Sequence, residues 1–255
     1  MLFRSSHAQT TRIHVDRTVG GNCYYCAADG DIDTGPSAGE ETARTVYCLS
    51  SLKQLGLATT MYALENDDYI PRAMDHRVKW ILVFIPYLGN EYKHIEDYRE
   101  VKVFQCPSFP RNGVGRYGNL NKDQTVDYVV NAWDMKDPGL NGSSNFGNQM
   151  DHPTKLSDIK SPALRIYMAD NAAGNWRAVI RNRQELHVES GLNRLDVWSS
   201  THMPASERTN QGDYLTRRVS GNRHRGDGCN NLFFDGHADW LRKDENTPRY
   251  WCGAE

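Results

Sequence analysis

The sequence predicts a chain of mixed helix and strand, in which one long helix comes first and short strands joined by long loops follow. An uninterrupted helical pattern covers Ser37 to Asn66, and runs of strand-forming residues recur later in the chain. Apolar residues make up 38% of the chain, there are 21 glycines, and the mean hydropathy is -0.70. This composition indicates a modest core surrounded by turns and loops.

The long helix has a recognisable start. Ser37 is followed three residues later by Glu40, which is a capping-box pattern, and no proline occurs between Glu40 and Glu65. The sequence therefore predicts a helix over roughly Thr42 to Glu65, and we expect it to be the longest helix of the protein.

Apolar residues occupy two opposite sides of this helix, given the rotation of about 100° per residue. One stripe contains Cys48, Leu52, Leu55 and Tyr62, and the other contains Val46, Leu57, Met61 and Leu64. A narrower polar strip is formed by Ser51, Gln54 and Glu65. A sheet packed on one side would leave the second stripe exposed. We expect both stripes to belong to the core of this domain; the alternative is that one of them contacts another subunit.

Further elements follow the helix. The apolar segment from Trp80 to Leu88 predicts a short helix that covers the first one, and it is too short to span a membrane. Two runs, VKVFQCPSFP and TVDYVVNAW, are typical of strands. The run Leu164 to Ala169 predicts a core strand that ends at Asp170.

The last part of the chain combines a polar stretch with a hairpin signal. Residues 172–221 are rich in Arg, Asn and Ser, and they predict a loop-rich insertion. Further on, Asp235 and Gly236 lie between two short apolar runs, a pattern that predicts a β-hairpin turn. We expect Leu232 and Phe234 to lie on one face of its first strand.

No linker rich in Pro, Gly or Ser divides the chain. We therefore expect a polar N-terminal segment of unknown role over residues 1–36 and a single domain over 37–255. The 30 basic and 32 acidic residues are mixed along the chain and give a formal charge of -2. Such a balance argues against a dedicated nucleic-acid-binding protein.

Four sequence blocks together resemble a known family. They are CLSSLKQLGLATTMYALENDDYIP, VFQCPS, LSDIKSPALRIYMAD and RHRGDGCNNLFFDGHADWL. Their order and spacing are similar to those of the bacterial pseudopilin-like family named for its H-X9-DG motif, within the type IV pilin and type II secretion pseudopilin superfamily. The resemblance covers residues 44 to 170 in patches and 223 to 241 nearly continuously.

The resemblance implies an α+β, pilin-like domain whose N-terminal helix packs on an antiparallel sheet. It also implies a non-enzymatic structural subunit of an extracellular filament or secretion pseudopilus, without a cofactor. Its partners would be copies of itself or other pilin-like subunits. The chain departs from the family in two ways. A polar segment containing Cys23 and Cys26 replaces the apolar anchor expected upstream of Ala43, and ten residues rather than nine separate His224 from Asp235.

The six cysteines permit several disulfide pairings: Cys23, Cys26, Cys48, Cys106, Cys229 and Cys252. Cys23 and Cys26 form a C-x-x-C pair without a second one, and we favour a structural disulfide over a redox role there. Cys48 and Cys106 both lie in blocks that carry the resemblance. A disulfide between helix and sheet and two buried free thiols remain open for this pair.

His224, Asp235 and His237 are the candidates for chemistry, because residues two apart on a strand share a face. We favour a structural motif, made of these three residues and Gly236, in which His224 binds Asp235 or a loop carbonyl. The alternative is a metal site. A calcium site is a weaker hypothesis, and its oxygen ligands would be Asp227, Asn230, Asp235 and Asp239.

The sequence also suggests two alternative functions. One is a soluble domain on a pilin-like fold that binds a glycan or peptide through exposed tryptophans such as Trp176 and Trp198. The other is a metal-dependent hydrolase centred on His224, Asp235 and His237. The motifs of common enzyme classes are missing from the sequence, so the structural subunit is the main hypothesis.

Overall fold

Helix α1 (Ala38–Glu65) is 28 residues long and runs along one face of a five-stranded sheet. The structure is a computed structural model. It describes residues 37–72, 80–89, 101–111, 126–133, 154–173, 195–207 and 217–252. All of these residues lie in one compact unit.

The start of α1 is the predicted cap. The Ser37 hydroxyl accepts a hydrogen bond of 3.2 Å from the backbone N–H of Glu40. At the other end, the Asn66 side chain donates to the Tyr62 carbonyl at 2.8 Å. Asp67 and Asp68 then adopt positive φ angles of 52° and 68°. The helix ends here because a right-handed helix requires negative φ angles. The predicted helix is confirmed, and it begins one turn earlier than expected.

In the described part of the chain, seven strands and two short helices accompany α1. They are β1 (Tyr69–Ile70), α2 (Trp80–Phe84), β2 (Tyr128–Asn131), β3 (Thr154–Lys155), β4 (Ile166–Asp170), β5 (Asp196–Val197), β6 (Gly228–Phe233), β7 (Ala238–Arg242) and α3 (Pro248–Cys252). The main sheet has the order β5-β2-β4-β6-β7, and β1 pairs with β3 separately. Within the main sheet all pairs are antiparallel except β2 with β5.

The hairpin and two of the predicted strands are confirmed. Strands β6 and β7 are joined at Asp235 and Gly236, and Gly236 has a φ of 89°, where a residue with a side chain would be strained. Leu232, Phe233 and Phe234 are all buried, and Phe234 follows the last residue of β6, so the expectation that Leu232 and Phe234 share a face stays a prediction. Strands β2 and β4 lie where the sequence predicts them.

The strand predicted over VKVFQC is wrong. Residues Lys102–Phe104 form a 3-10 helix instead. Val101 and Phe104 are both buried, which is a spacing of three rather than the alternation of a strand. The backbone of this segment makes its hydrogen bonds outside a sheet. The Cys106 N–H, for example, donates a 2.7 Å hydrogen bond to the Asp127 carboxylate. Tertiary contacts thus override the local strand preference.

The apolar segment after α1 packs as predicted. Helix α2 is extended by a 3-10 helix at Ile85–Tyr87. The Tyr62 ring of α1 makes edge contacts with Phe84 and Tyr87, at centroid distances of 6.4 and 6.2 Å. Among the described residues, no helix is long and apolar enough to cross a membrane.

The polar stretch 172–221 contributes to the sheet. Strand β5 lies within it and forms the parallel edge strand beside β2. Arg218, which is buried, donates from its guanidinium to the carbonyl of Asp196 in β5. Residues 174–194 and 208–216 lie outside the described part of the chain.

Candidate functional site

Two features of the structure are candidates for function. The first is the outer face of α1, which is formed by Val46, Leu57, Met61 and Leu64. These side chains are 60%, 61%, 40% and 82% exposed. Cys48, Leu52 and Leu55, on the opposite side, are fully buried. The expectation that both stripes belong to the core is therefore wrong for the outer face. Ser51, expected in the polar strip, is buried.

The second feature is a buried cluster of Cys48, Cys106, Asp170 and His224, here called the four-residue cluster. Their side chains are all within 1% of complete burial. One ligand-type atom from each lies within 4.8 Å of the corresponding atoms of the others. Each residue comes from a different part of the fold: α1, the segment after the 3-10 helix, the end of β4 and the turn before β6.

The distances within the four-residue cluster are short. The sulfur atoms of Cys48 and Cys106 lie 2.8 Å apart, and both are free thiols. The His224 Nε2 atom lies 3.4 Å from the Cys106 sulfur and 3.4 Å from the Asp170 Oδ2 atom. A disulfide bond is about 2.05 Å long, so of the two alternatives left open for Cys48 and Cys106, this structure has the two buried free thiols.

The other cysteines do not pair either, as far as the structure describes them. Cys229 and Cys252 are buried free thiols. Cys23 and Cys26 lie outside the described residues. A disulfide among the described cysteines is therefore not formed.

Local structure fixes each member of the cluster. The Asp170 carboxylate accepts a 2.7 Å hydrogen bond from the Asn230 N–H of the neighbouring strand β6. His224 precedes a tight turn in which Arg225 and Gly226 have positive φ angles of 54° and 80°. Its backbone carbonyl accepts a 3.2 Å hydrogen bond from the Trp240 indole. The turn therefore holds the imidazole against the end of β4.

The remaining imidazole nitrogen of His224 faces α1. Nδ1 lies 3.2 Å from the Glu41 carboxylate and 3.3 Å from the Thr45 hydroxyl. A carboxylate therefore lies near each ring nitrogen, Glu41 at Nδ1 and Asp170 at Nε2.

Burial dominates the electrostatics of this region. It raises the pKa of Asp170 to about 6, against the opposing effects of His224 and Arg223. Burial also raises the pKa of Asp127 to about 7 and raises that of the Cys106 thiol well above its usual value. Burial therefore shifts all three groups toward their protonated forms.

Chemically, two thiols, a carboxylate and an imidazole are either metal ligands or a thiol pair close enough to oxidise. The sequence singled out Cys48, Cys106 and His224 in separate hypotheses and noted Asp170 only as the end of a strand. One signal could have joined them. Each of the four sequence blocks that carry the family resemblance contains one member of the four-residue cluster.

The proposed grouping of His224, Asp235 and His237 is not assembled. Asp235 and His237 pair with each other at 2.5 Å on the hairpin turn, and His237 is exposed. The His237 ring stacks on Phe233 with a centroid distance of 4.1 Å. His224 is fully buried next to the opposite end of β6. The His224 side chain therefore contacts neither Asp235 nor His237, so the structure has neither the His224–Asp235 contact of the favoured structural motif nor the three-residue centre of the hydrolase hypothesis.

The four candidate calcium ligands are likewise dispersed. Asp227 precedes β6 and Asp235 follows it, so the six residues of the strand separate them by about 20 Å. The Asn230 amide donates to the Thr45 carbonyl at 3.2 Å, and the Asp239 carboxylate accepts from the N–H of Trp240. These four residues do not converge on one point.

The tryptophans considered for glycan binding provide no exposed platform in the described region. Trp198 is only 6% exposed and packs edge-on against His202 at 4.8 Å. Trp176 lies outside the described residues. Trp198 therefore does not provide the exposed ring that the glycan-binding hypothesis requires.

One helix of 28 residues and mixed, largely antiparallel sheets place the described chain in the α+β class. No protein-family model matches the chain, and neither a curated protein nor a solved structure matches it.

Proposed function

We propose that this chain is a non-enzymatic, pilin-like structural subunit that assembles with copies of itself or with related subunits into an extracellular filament or pseudopilus. The observation that carries the proposal is the outer face of α1. Four large apolar side chains on this long helix are 40% to 82% exposed. The resemblance in sequence to pseudopilin-like proteins supports the same function.

The arrangement of helix and sheet leaves the outer face without cover in the described chain. Strands β6 and β7 pack on the inner side of α1, where Leu52 and Leu55 are buried. A contiguous apolar surface on a helix is typical of an interaction site. Leu57, Met61 and Leu64 are spaced by four and three residues, so they form one continuous patch on the C-terminal half of the helix.

The partner that fits this face best is another α1 helix. A 28-residue helix is about 42 Å long, which allows one helix to contact several neighbours in a helical assembly. Apolar residues at spacings of three and four are the pattern that packs against a second helix of the same kind. Such contacts propagate as a filament when they are heterologous, that is, when one part of the outer face on one α1 meets a different part of the neighbouring α1.

Assembly can be tested with the full chain. Sedimentation analysis over a range of concentrations, together with electron microscopy, should show oligomers or filaments that dissociate in the double variant Leu57→Glu/Leu64→Glu. The matched control is Leu164→Glu, because Leu164 is 56% exposed and lies in the 3-10 helix Pro162–Leu164, away from α1. The control should assemble like the parent chain.

Two results would contradict the proposal. One is a monomeric parent protein at every concentration, both alone and mixed with other pilin-like subunits. The other is assembly that the double variant on the outer face leaves unchanged. Thermal unfolding of each variant establishes that a loss of assembly does not come from a loss of folding.

A further inference from the structure

We propose that Cys48, Cys106, Asp170 and His224 form a structural zinc site at the junction of α1 with the sheet. The proposal is independent of filament assembly, because the four-residue cluster lies on the inner side of α1 and the outer face takes no part in it. Its ligand chemistry is two thiolates, one imidazole and one carboxylate, a set suited to a borderline-soft divalent cation such as Zn²⁺.

Two of the distances between ligand atoms fit a tetrahedral ion. With zinc bonds of about 2.0 to 2.3 Å, a tetrahedron places nitrogen and oxygen ligands about 3.4 Å apart and nitrogen and sulfur ligands about 3.5 Å apart. The His224 Nε2 atom lies 3.4 Å from Asp170 Oδ2 and 3.4 Å from the Cys106 sulfur. The four ligand atoms all lie within 4.8 Å of one another, so they can converge on one ion through adjustments of the side chains.

The two sulfur atoms are 2.8 Å apart, whereas two zinc-bound sulfurs are about 3.8 Å apart. A separation increase of about 1 Å is within reach of a change in the Cys48 side-chain torsion angle, since the α1 backbone need not shift. The present sulfur contact is too long for a covalent bond and too short for two uncharged thiols at van der Waals distance. Either a disulfide, with the sulfurs closer together, or a bound cation, with the sulfurs further apart, removes this conflict.

The contacts that orient His224 and Asp170 also agree with metal binding. Glu41 holds Nδ1 of His224, which is the arrangement in which a carboxylate orients a zinc-bound histidine. The Asp170 Oδ2 atom is oriented by the Asn230 N–H, and Oδ1 has no hydrogen-bond partner among the described residues. A buried carboxylate oxygen without a partner is unfavourable unless a cation is bound nearby.

The charges balance when the ion is present. Two thiolates and one carboxylate carry three negative charges, and a divalent cation with the nearby Arg223 guanidinium offsets them. Arg223 is 7% exposed and is held by the carbonyls of Ser108 and Asn171. The Cζ atom of Arg223 also lies 4.4 Å from the centre of the Phe109 ring, and this contact helps to hold the guanidinium in place.

A disulfide alone explains less of this geometry. It would involve Cys48 and Cys106 but would leave the imidazole and the carboxylate converging on a neutral bond. Four protein ligands, all fully buried, leave no open position for water, which is typical of structural rather than catalytic zinc sites. The ion would connect α1 to the end of β4 and the turn before β6.

The test is metal analysis of the full chain, expressed without an affinity tag and purified without added metal. Elemental mass spectrometry should find about one zinc per chain. Cys48→Ser and Cys106→Ser should lose it, and the matched control Cys252→Ser should retain it. The double variant Cys23→Ser/Cys26→Ser should also retain it, which separates this site from the C-x-x-C pair. Far-UV circular dichroism checks that each variant is folded.

A second measurement avoids the variants. Cobalt added to the chelator-treated parent chain should give the visible spectrum of tetrahedral cobalt with thiolate ligands, and zinc should displace it. Alkylation in denaturant without reductant should modify both Cys48 and Cys106. A disulfide between these cysteines, a zinc content near zero, or zinc that persists in Cys48→Ser and Cys106→Ser would overturn the proposal.

Discussion

The Glu41 carboxylate lies 3.2 Å from Nδ1 of His224, although 183 residues separate the two in sequence. Glu41 is in the first turn of α1, and Thr45, one turn later, reaches the same nitrogen at 3.3 Å. The start of the helix is thus fastened to the turn before β6 by a buried imidazole. This contact couples the cap of α1 to the C-terminal hairpin.

Removing the imidazole should therefore loosen the protein. We expect His224→Ala, in chelator-treated protein, to lower the free energy of unfolding by about 1 to 3 kcal/mol, because Thr45 and the Asp170 carboxylate lose a buried partner. The control is His237→Ala, whose ion pair with Asp235 is half exposed and should cost less than about 1 kcal/mol. Urea denaturation measures both, and equal losses would refute the structural role of His224.

The two sides of α1 should respond differently to the same charge. We expect Leu52→Asp to cost more than about 3 kcal/mol, because it buries an unpaired carboxylate among apolar side chains. Leu57→Asp is the matched control, since Leu57 is 61% exposed. Thermal unfolding of monomeric protein compares the two, and an unchanged melting temperature for Leu52→Asp would show that the inner stripe is not core.

Gly56 should not tolerate a side chain. An added Cβ would lie 2.9 Å from Leu232 Cδ1 and 3.2 Å from the Gly236 Cα atom, at the point where α1 touches the hairpin turn. We expect Gly56→Ala to destabilise the protein by about 1 to 3 kcal/mol through overpacking.

Gly39→Ala is the control for this substitution. Its Cβ would approach only the Ser37 hydroxyl, at 4.0 Å, so alanine should stabilise the first turn by about 0.5 to 1 kcal/mol. Denaturant midpoints of the two variants should shift in opposite directions. A gain in stability for both would mean that the helix and the hairpin are not in close contact.

The stability of the metal-free protein should depend on the protonation of Asp127. Burial raises the pKa of this carboxyl to about 7, whereas an aspartate in an unfolded chain has a pKa of about 3.9. The folded state therefore holds the proton more tightly, and its contribution to stability is lost as the pH rises from about 4 to about 7.

Denaturation of chelator-treated protein across this pH range tests the sign. The variant Asp127→Asn keeps an acceptor for the Cys106 N–H but cannot titrate, so its stability should fall less steeply with pH. A parent protein whose stability rises from pH 4 to 7, with the same slope in Asp127→Asn, would contradict this expectation.

Local signals explain which parts of the fold the sequence predicts. The cap at Ser37, the spacing of Cys48, Leu52 and Leu55, and the turn at Asp235 and Gly236 act over a few residues, and the structure confirms each of them. The 3-10 helix at Lys102–Phe104 depends on a distant partner, the Asp127 carboxylate. A period-two pattern carries no information about such a partner.

The same limit applies to the candidate sites. The two apolar stripes are visible in sequence, but which of them the sheet covers depends on how β6 and β7 pack. The four-residue cluster requires the end of β4 and the turn before β6 to meet α1. Strand β5 is only two residues long, and it forms because the fold places it beside β2. The local conformational preferences of the residues do not predict these contacts between distant segments.

The spread of the four-residue cluster along the chain determines when it can form. Cys48 and Cys106 are 58 residues apart, and Cys106 and His224 are 118 apart. Contacts this distant in sequence require large loops to close first, which slows folding. During synthesis from the N-terminus, both thiols emerge from the ribosome well before the imidazole that completes the group. The four-residue cluster, which joins α1 to the sheet, therefore cannot form until synthesis has passed His224.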